Sequence, residues 1–258
     1  MNEAKDELLG DLSPAFRPPP LDLALGTHEI HIWCADLDQP GSQFHRFGQT
    51  LSIDERMRAE QFHFQEDRKR FIVRHGILRM IVGFYLGVKP SELQFYHGKN
   101  GKPALTDTLS KKTICFNLSH SQGFALYGFS REHEIGVDIE RVREIPEMEQ
   151  IAERFFSVTE NVLFRALPER KKKETFFQIW TRKEAFLKAT GDGLSRPLDN
   201  FDVQTGLFES FGIGDLGGDS GKVLPCWIRS LNSVPNFACA FAVRGTQLQI
   251  KCFKAVCN

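Results

Sequence analysis

The chain has 258 residues, with 33 Lys and Arg against 33 Asp and Glu, and 41% of its side chains are apolar. That length buries one large core or two cores of roughly 100 to 150 residues each, and zero formal charge removes the basic field that would gather nucleic acid. Long apolar stretches such as Phe71 to Val88 are interrupted by Arg74, His75 and Arg79, and no polybasic run is present, so no membrane association is expected.

Residues 1 to 27 carry no apolar core of the kind that marks a signal peptide. They open acidic, turn proline-rich at Pro14 and Pro18 to Pro20, and form a partly irregular extension. Glu29 to Ala35 alternates as a strand does. Ser52 to Phe64 and Glu66 to Leu86 have helical spacing, the second turning Phe71, Leu78, Ile81, Val82 and Tyr85 toward a core and stopping at Gly87. Short strands follow at Leu93 to Tyr96, Thr113 to Leu118, Gly123 to Phe129 and Ile135 to Ile139, the first two joined by a turn-rich Gly98 to Pro103 loop. Ser157-Val158-Thr159-Glu160 has capping-box spacing, and Glu169 to Thr190 is a long helix closed by Gly191 and Gly193. Strands near Phe201 to Gln204, Cys226 to Ser230, Phe237 to Val243 and Gln247 to Cys252 complete the chain. Strands and a long helix recur in each half. This predicts an α+β fold of two similar lobes, residues 28–133 and 134–258, each a small, mostly antiparallel sheet on a long helix. No residue-by-residue repeat is visible.

The six cysteines (Cys34, Cys115, Cys226, Cys239, Cys252, Cys257) have no C-x-x-C spacing, and four sit in apolar runs. They read as reduced core residues, which places the protein in the cytoplasm. Eight histidines form neither an H-E-x-x-H pattern nor a cluster with cysteine, so an all-oxygen magnesium site fits better than zinc.

Three segments carry the chemistry. Asp138 and Glu140 are two apart in a strand and project from one face, an arrangement that favours a cation between them. Taken alone, the pair reads equally well as a solvated strand end, with Glu140 bonded to Arg141 or Arg143. Trp180, Glu184 and Lys188 stack along one stripe of the long helix. In isolation Glu184 and Lys188 make an exposed ion pair worth about 0.3 to 0.5 kcal/mol, but their stripe shares Phe177 and Trp180 and so faces protein, as a lined cleft does. Asn117-Leu118-Ser119-His120 enters the polar turn Ser121-Gln122-Gly123, where Ser119 and His120 can receive phosphate oxygens. A Ser-His pair in a turn is more often structural, and no third residue completes a hydrolase triad. The His97 to Pro103 loop offers two lysines but lacks Walker spacing. Arg56, Arg58, Arg68, Lys69, Arg70 and Arg74 concentrate positive charge in the first helical region.

Taken in order, Gly101-Lys102-Pro103, Phe116 to Ser121, Ile135 to Glu140, Phe155 to Glu160, and Trp180 to Lys188 with Gly191-Asp192-Gly193-Leu194 resemble the phosphopantetheinyl transferases. The length, about twice that of the short trimeric type, matches the larger surfactin-synthetase-activating type. The likeness is strong from Gly98 to Val203 and thinner before it. It implies a single-chain pseudo-dimer, a monomer in solution, that moves the phosphopantetheine arm of coenzyme A onto a carrier-protein serine and releases adenosine 3',5'-bisphosphate. It also implies dependence on Mg2+, with Mn2+ as a substitute. By matching motif, Asp138, Glu140 and Glu184 hold the metal, Glu184 is the general base, and Lys188 neutralises the attacked phosphate. Glu140 is the most dispensable ligand. Ser119 and His120 match phosphate contacts, and Asn100, Gly101, Lys102 and Pro103 match the loop along adenine and pantetheine. Arg70 and Arg58 match cations for the 3'-phosphate, although relatives with lysine in the first helix differ from the Ile53 to Arg58 stretch here.

Two other functions compete. A coenzyme A sensor without turnover predicts damage at Glu184 or Lys188, and both are intact; a generic magnesium phosphotransferase or hydrolase predicts a Walker loop, and none is found. The carrier protein itself is not legible, and apolar residues near Phe155 to Phe164 are the expected docking surface.

Overall fold

The strand β1 (Glu29–Asp36) reads Glu-Ile-His-Ile-Trp-Cys-Ala-Asp and is buried along nearly its whole length, as a strand covered on both faces must be. It belongs to a computed structural model that describes residues 15–98, 102–106, 114–191, 193, 196–203, 226–231, 234–245 and 248–255. The chain divides into two units. One takes Phe16–Glu132 with Gln249–Asn258, and the other takes Met1–Ala15 with His133–Leu248.

In the first unit β1 is followed by helices α1 (Gly41–Thr50), α2 (Ile53–Glu60) and α3 (Gln65–Leu86), then by β2 (Phe95–His97), β3 (Pro103–Leu105), β4 (Ile114–Ser121) and β5 (Phe124–Arg131). Its sheet runs β4-β5-β1-β9, antiparallel except where β9 (Gln249–Lys254) lies parallel to β1. Ser52 caps α2 in a reciprocal box with Glu55, and α3 ends at Gly87 with φ 69°, a left-handed cap that suits glycine. Trp33, Phe71, Leu78, Val82 and Phe129 build the core. Arg79 is buried with them. Its guanidinium meets Glu55 Oε2 at 2.6 Å, donates to the Pro90 and Leu93 carbonyls at 2.9 and 3.0 Å, and stands 5.1 Å over the Phe95 ring.

The second unit follows the same plan: β6 (Ile135–Arg141), α4 (Met148–Phe155), α5 (Val158–Arg165), α6 (Glu169–Thr190), then β7 (Cys226–Leu231) and β8 (Phe237–Arg244). Its antiparallel sheet runs β7-β8-β6, the order in which β4, β5 and β1 stand in the first unit. Here too an eight-residue helix carries a capping box, Ser157 with Glu160, and a 22-residue helix ends at a left-handed glycine, Gly191 with φ 76°.

Several expectations change. Phe201–Val203 are not a strand, and Gln204 lies outside the described residues. Their backbone groups serve side chains instead of a ladder: the Phe201 carbonyl accepts from Lys183 and the Val203 N–H donates to Glu160. The strand expected at 113–118 runs Ile114–Ser121, with Thr113 outside the described residues, and Pro103 opens a short hairpin strand. The last strand, expected in the second lobe, pairs with β1 in the first unit. Helices α1 and α4 carried no sequence expectation. Among the described residues no helix is long and apolar enough to cross a membrane.

Candidate active site

Gly136, Asp138 and Glu140 share one face of β6, and their partners across β8 are Ala242, Ala240 and Ala238. This small-residue floor lets α6 lie unusually close. A Cβ on Gly136 would overlap the Ala185 carbonyl oxygen and stand 2.5 Å from the Ala189 nitrogen and 2.8 Å from Lys188 Cβ. The opposite row of β6, Ile135, Val137 and Ile139, is fully buried and holds the strand in place.

Close approach brings the helix stripe onto the acidic strand. Lys188 Nζ lies 2.6 Å from Asp138 Oδ1 and donates to the Val137 carbonyl at 3.2 Å. Asp138 is 4% exposed, so this charge-assisted bond works in a dry setting where it counts for more than a surface pair. Glu184, one turn before Lys188, has its carboxyl pushed above the ordinary value, first by burial. Lys188 draws it down, while the Asp138 and Glu140 carboxylates push it up. Lys188, Asp138 and Glu140 therefore all act on Glu184. Glu140 also keeps the surface partner expected from its spacing, with Arg143 Nη1 3.9 Å from its Oε2. Trp180, earlier on the stripe, stacks with Phe176 and meets Phe155 edge-on, and so serves the core.

Among the described residues no three His, Cys, Asp or Glu side chains are gathered to hold a metal ion. Asp138, Glu140 and Glu184 nevertheless share one field; their donors are all carboxylate oxygens, the chemistry a hard divalent cation takes, and the push of the other two acids on Glu184 is what such a cation would relieve.

The other expected site residues belong to the first unit. Ser119 and His120 lie within β4, where successive side chains alternate. Ser119 is buried and His120 exposed on the opposite face, which removes a Ser-His dyad. Arg70 Nε and Nη2 bind Asp38 Oδ1 and Oδ2 at 2.7 and 3.0 Å, a bidentate fork that raises the guanidinium's already high proton affinity. The pair sits at the β4–β5 turn, since a Cβ on Gly123 would be 2.8 Å from Asp38 Oδ2 and 3.6 Å from Arg70 Nη2. Arg58 is exposed in the last turn of α2. Lys102 and Pro103 are half-buried, and Asn100 and Gly101 lie outside the described residues. Sequence reasoning missed Gly136, Asp38 and Lys183. A glycine two before an acid on a strand, opposite small residues, was the available signal for the first.

Two family models match the chain: 4'-phosphopantetheinyl transferase superfamily over residues 134–242, and 4'-phosphopantetheinyl transferase, N-terminal, over residues 39–128. The 4'-phosphopantetheinyl transferase HetI of Nostoc sp. is 45% identical over 185 residues, 72% of this chain and 78% of the relative. The chain belongs to the 4'-phosphopantetheinyl transferase superfamily. It is an enzyme of that class, similar also to Sfp of Bacillus subtilis, at 31% identity over 82% of this chain and 91% of that one. In this transferase Asp138, Glu140, Glu184 and Lys188 all fall within the superfamily match, and Arg58, Arg70, Ser119 and His120 within the N-terminal one.

Proposed function

We propose that this transferase moves the 4'-phosphopantetheine arm of coenzyme A onto a serine hydroxyl of an apo acyl or peptidyl carrier protein, giving holo-carrier protein and adenosine 3',5'-bisphosphate. The observation that carries the reading is the Lys188 ammonium seated on Asp138 at 2.6 Å within the field of Glu184 and Glu140. An ammonium bonded to one acid, with a buried carboxyl one helical turn before it, offers both a proton acceptor and charge neutralisation in one neighbourhood, as phosphoryl transfer requires.

In the transfer the serine Oγ bonds to the phosphorus bearing the pantetheine arm. The bond from that phosphorus to the bridging oxygen breaks, and its electron pair leaves on adenosine bisphosphate. The serine proton passes to Glu184, whose burial raises its proton affinity above that of an ordinary carboxylate. Lys188 offsets charge gathering on the phosphate oxygens. Asp138, Glu140 and Glu184 would hold Mg2+, or Mn2+, which when bound supplies Lewis-acid neutralisation of the pyrophosphate. In the first unit, Ser119, His120, Arg58 and Arg70, with Asn100 to Pro103, are assigned to the phosphates, adenine and pantetheine of coenzyme A. A single-chain pseudo-dimer, monomeric and cytoplasmic, is the setting this reading takes.

The test incubates several apo carrier proteins with coenzyme A, magnesium and the enzyme, and reads their masses. Gain of one phosphopantetheine arm is expected, and no gain on any carrier refutes the proposal. Glu184→Gln is expected to abolish the gain with coenzyme A still bound; normal turnover would remove Glu184 from the base role.

A further inference from the structure

The 22-residue helix of each unit carries a fully buried cation in the same socket. In the first unit it is Arg79 on α3, bonded to the capping-box Glu55 and to two carbonyls past the helix end. In the second it is Lys183 on α6. Its Nζ lies 2.7 Å from Oε2 of the capping-box Glu160, donates to the Leu198 and Phe201 carbonyls at 2.7 and 2.6 Å, and stands 4.5 Å over the Phe201 ring. Both side chains of the Lys183–Glu160 pair are out of solvent, at 0% and 2% exposure. Glu160 holds its other oxygen to the Val203 N–H at 2.7 Å and closes the cap at Ser157. One ammonium thus ties α6 to the start of α5 and to the 198–203 segment.

The two helices differ just beyond the cation. After Arg79 come Met80 and, four residues on, Phe84; after Lys183 come Glu184 and Lys188 at the same two positions. The first helix bears no chemistry at those places, and the second bears the base and the ammonium of the proposed reaction.

At about 100° per residue, Lys183 lies roughly 200° around α6 from Ala185, which rests on Gly136. The helix is therefore gripped on opposite flanks, by the β6 floor on one side and by the Lys183 socket on the other. Glu184 and Lys188 stand between the two grips, about 100° and 140° from Lys183. Loss of the socket frees the helix to roll about its axis, which carries both reacting groups sideways past Asp138.

We propose that Lys183 is a positioning residue: its buried ammonium sets the rotation of α6 and so places Glu184 and Lys188 against Asp138. The inference rests on the transferase reading for the roles of Glu184 and Lys188. The first unit supplies the control, because Arg79→Met removes the same kind of lock from a helix without reacting groups. At a temperature where both variants remain folded, Lys183→Met is expected to lower kcat more than tenfold with the KM for coenzyme A within threefold. Lys183→Arg, which restores a cation of the kind the first unit uses, is expected to recover at least a third of kcat, and Arg79→Met to keep kcat within twofold. Equal loss of kcat in Lys183→Met and Arg79→Met, or none in Lys183→Met, overturns the proposal. If Lys183→Met does not fold, Glu160→Gln against Glu55→Gln makes the same comparison with the same outcomes. Should the wild-type enzyme load no carrier, the transferase reading fails on its own. The lock is then read by reductive methylation of Lys188, expected at least threefold faster in Lys183→Met and unchanged in Arg79→Met; equal rates in the two variants refute it.

Discussion

Gly136 lies directly beneath Ala185, with no room for a side chain between strand and helix. Because the obstructing atoms include the Ala185 carbonyl oxygen and the Ala189 nitrogen, both helix backbone, no rotamer change relieves the overlap. Gly136→Ala must lift α6 and draw Lys188 from Asp138. We expect a loss of about 1 to 3 kcal/mol in urea unfolding and a fall in kcat of roughly tenfold or more. Wild-type kcat in a folded Gly136→Ala enzyme would show that the spacing of helix and strand does not govern the reaction.

Lys188→Met leaves the 4%-exposed Asp138 beside a neutral side chain. A positioned cation removed from a developing charge typically costs about a hundredfold or more in rate. Single-turnover transfer to a carrier protein is expected to slow by that order, while coenzyme A binding measured by calorimetry weakens far less.

Asp38 holds two of the donors on Arg70 and neutralises its charge. Asp38→Asn keeps the shape and releases the charge. If Arg70 meets the 3'-phosphate, the KM for coenzyme A should fall by up to about fivefold, the range of a half-exposed ion pair, while the KM for 3'-dephospho-coenzyme A stays put. A parallel change for both substrates would take Arg70 away from that phosphate.

His31 is fully buried on β1, bonded through Nε2 to Glu29 at 3.1 Å and through Nδ1 to the Tyr85 hydroxyl at 2.7 Å. The carboxylate only accepts, so Nε2 carries the proton, and in the neutral ring Nδ1 accepts from Tyr85, which itself receives the Trp33 indole N–H at 2.8 Å. Burial holds the ring neutral down to about 4, against 6.5 in the unfolded chain, while Glu29 pulls upward and Lys251 pushes further down. The unfolded chain therefore takes up this proton first. The contribution is complete above 6.5 and is lost as pH falls toward about 4, on the order of 3 kcal/mol in all. His75, held down to about 3 chiefly by burial, adds in the same direction. Thermal midpoints taken from about pH 7.5 to about pH 4.5 should fall, and less steeply in His31→Gln. An equal slope in that variant would place the pH sensitivity elsewhere.

The long helices, the strands β1, β5 and β6 and the Asp138/Glu140 and Glu184/Lys188 pairs were legible because periodicity and capping are local. Both helix-end glycines announced themselves for the same reason. Arg79 and Lys183 did not, since nothing in a helical pattern tells a snorkelling cation from one sealed against distant carbonyls. The likeness between Ser52-Ile53-Asp54-Glu55 and Ser157-Val158-Thr159-Glu160 was open to view, yet the sockets built on these two caps keep roles and change residues, with arginine in one and lysine in the other. Phe201 to Val203 read as strand because their side chains are strand-like, while their backbone groups were already committed to Lys183 and Glu160. Helix α1 was hidden by Gly41 and Gly48, which look like breakers.

The parallel pairing of β9 with β1 orders events during synthesis. Lys251 on the final strand meets Glu29 on the opening one, 222 residues earlier. At ribosomal speeds of roughly 5 to 20 residues per second, β1 emerges about ten to forty seconds before its neighbour exists. Through that interval the border of the nascent sheet is β1, a strand buried along nearly its whole length in the finished unit, so the newborn chain shows passing extended peptides a more apolar edge than the mature one, whose border is β9.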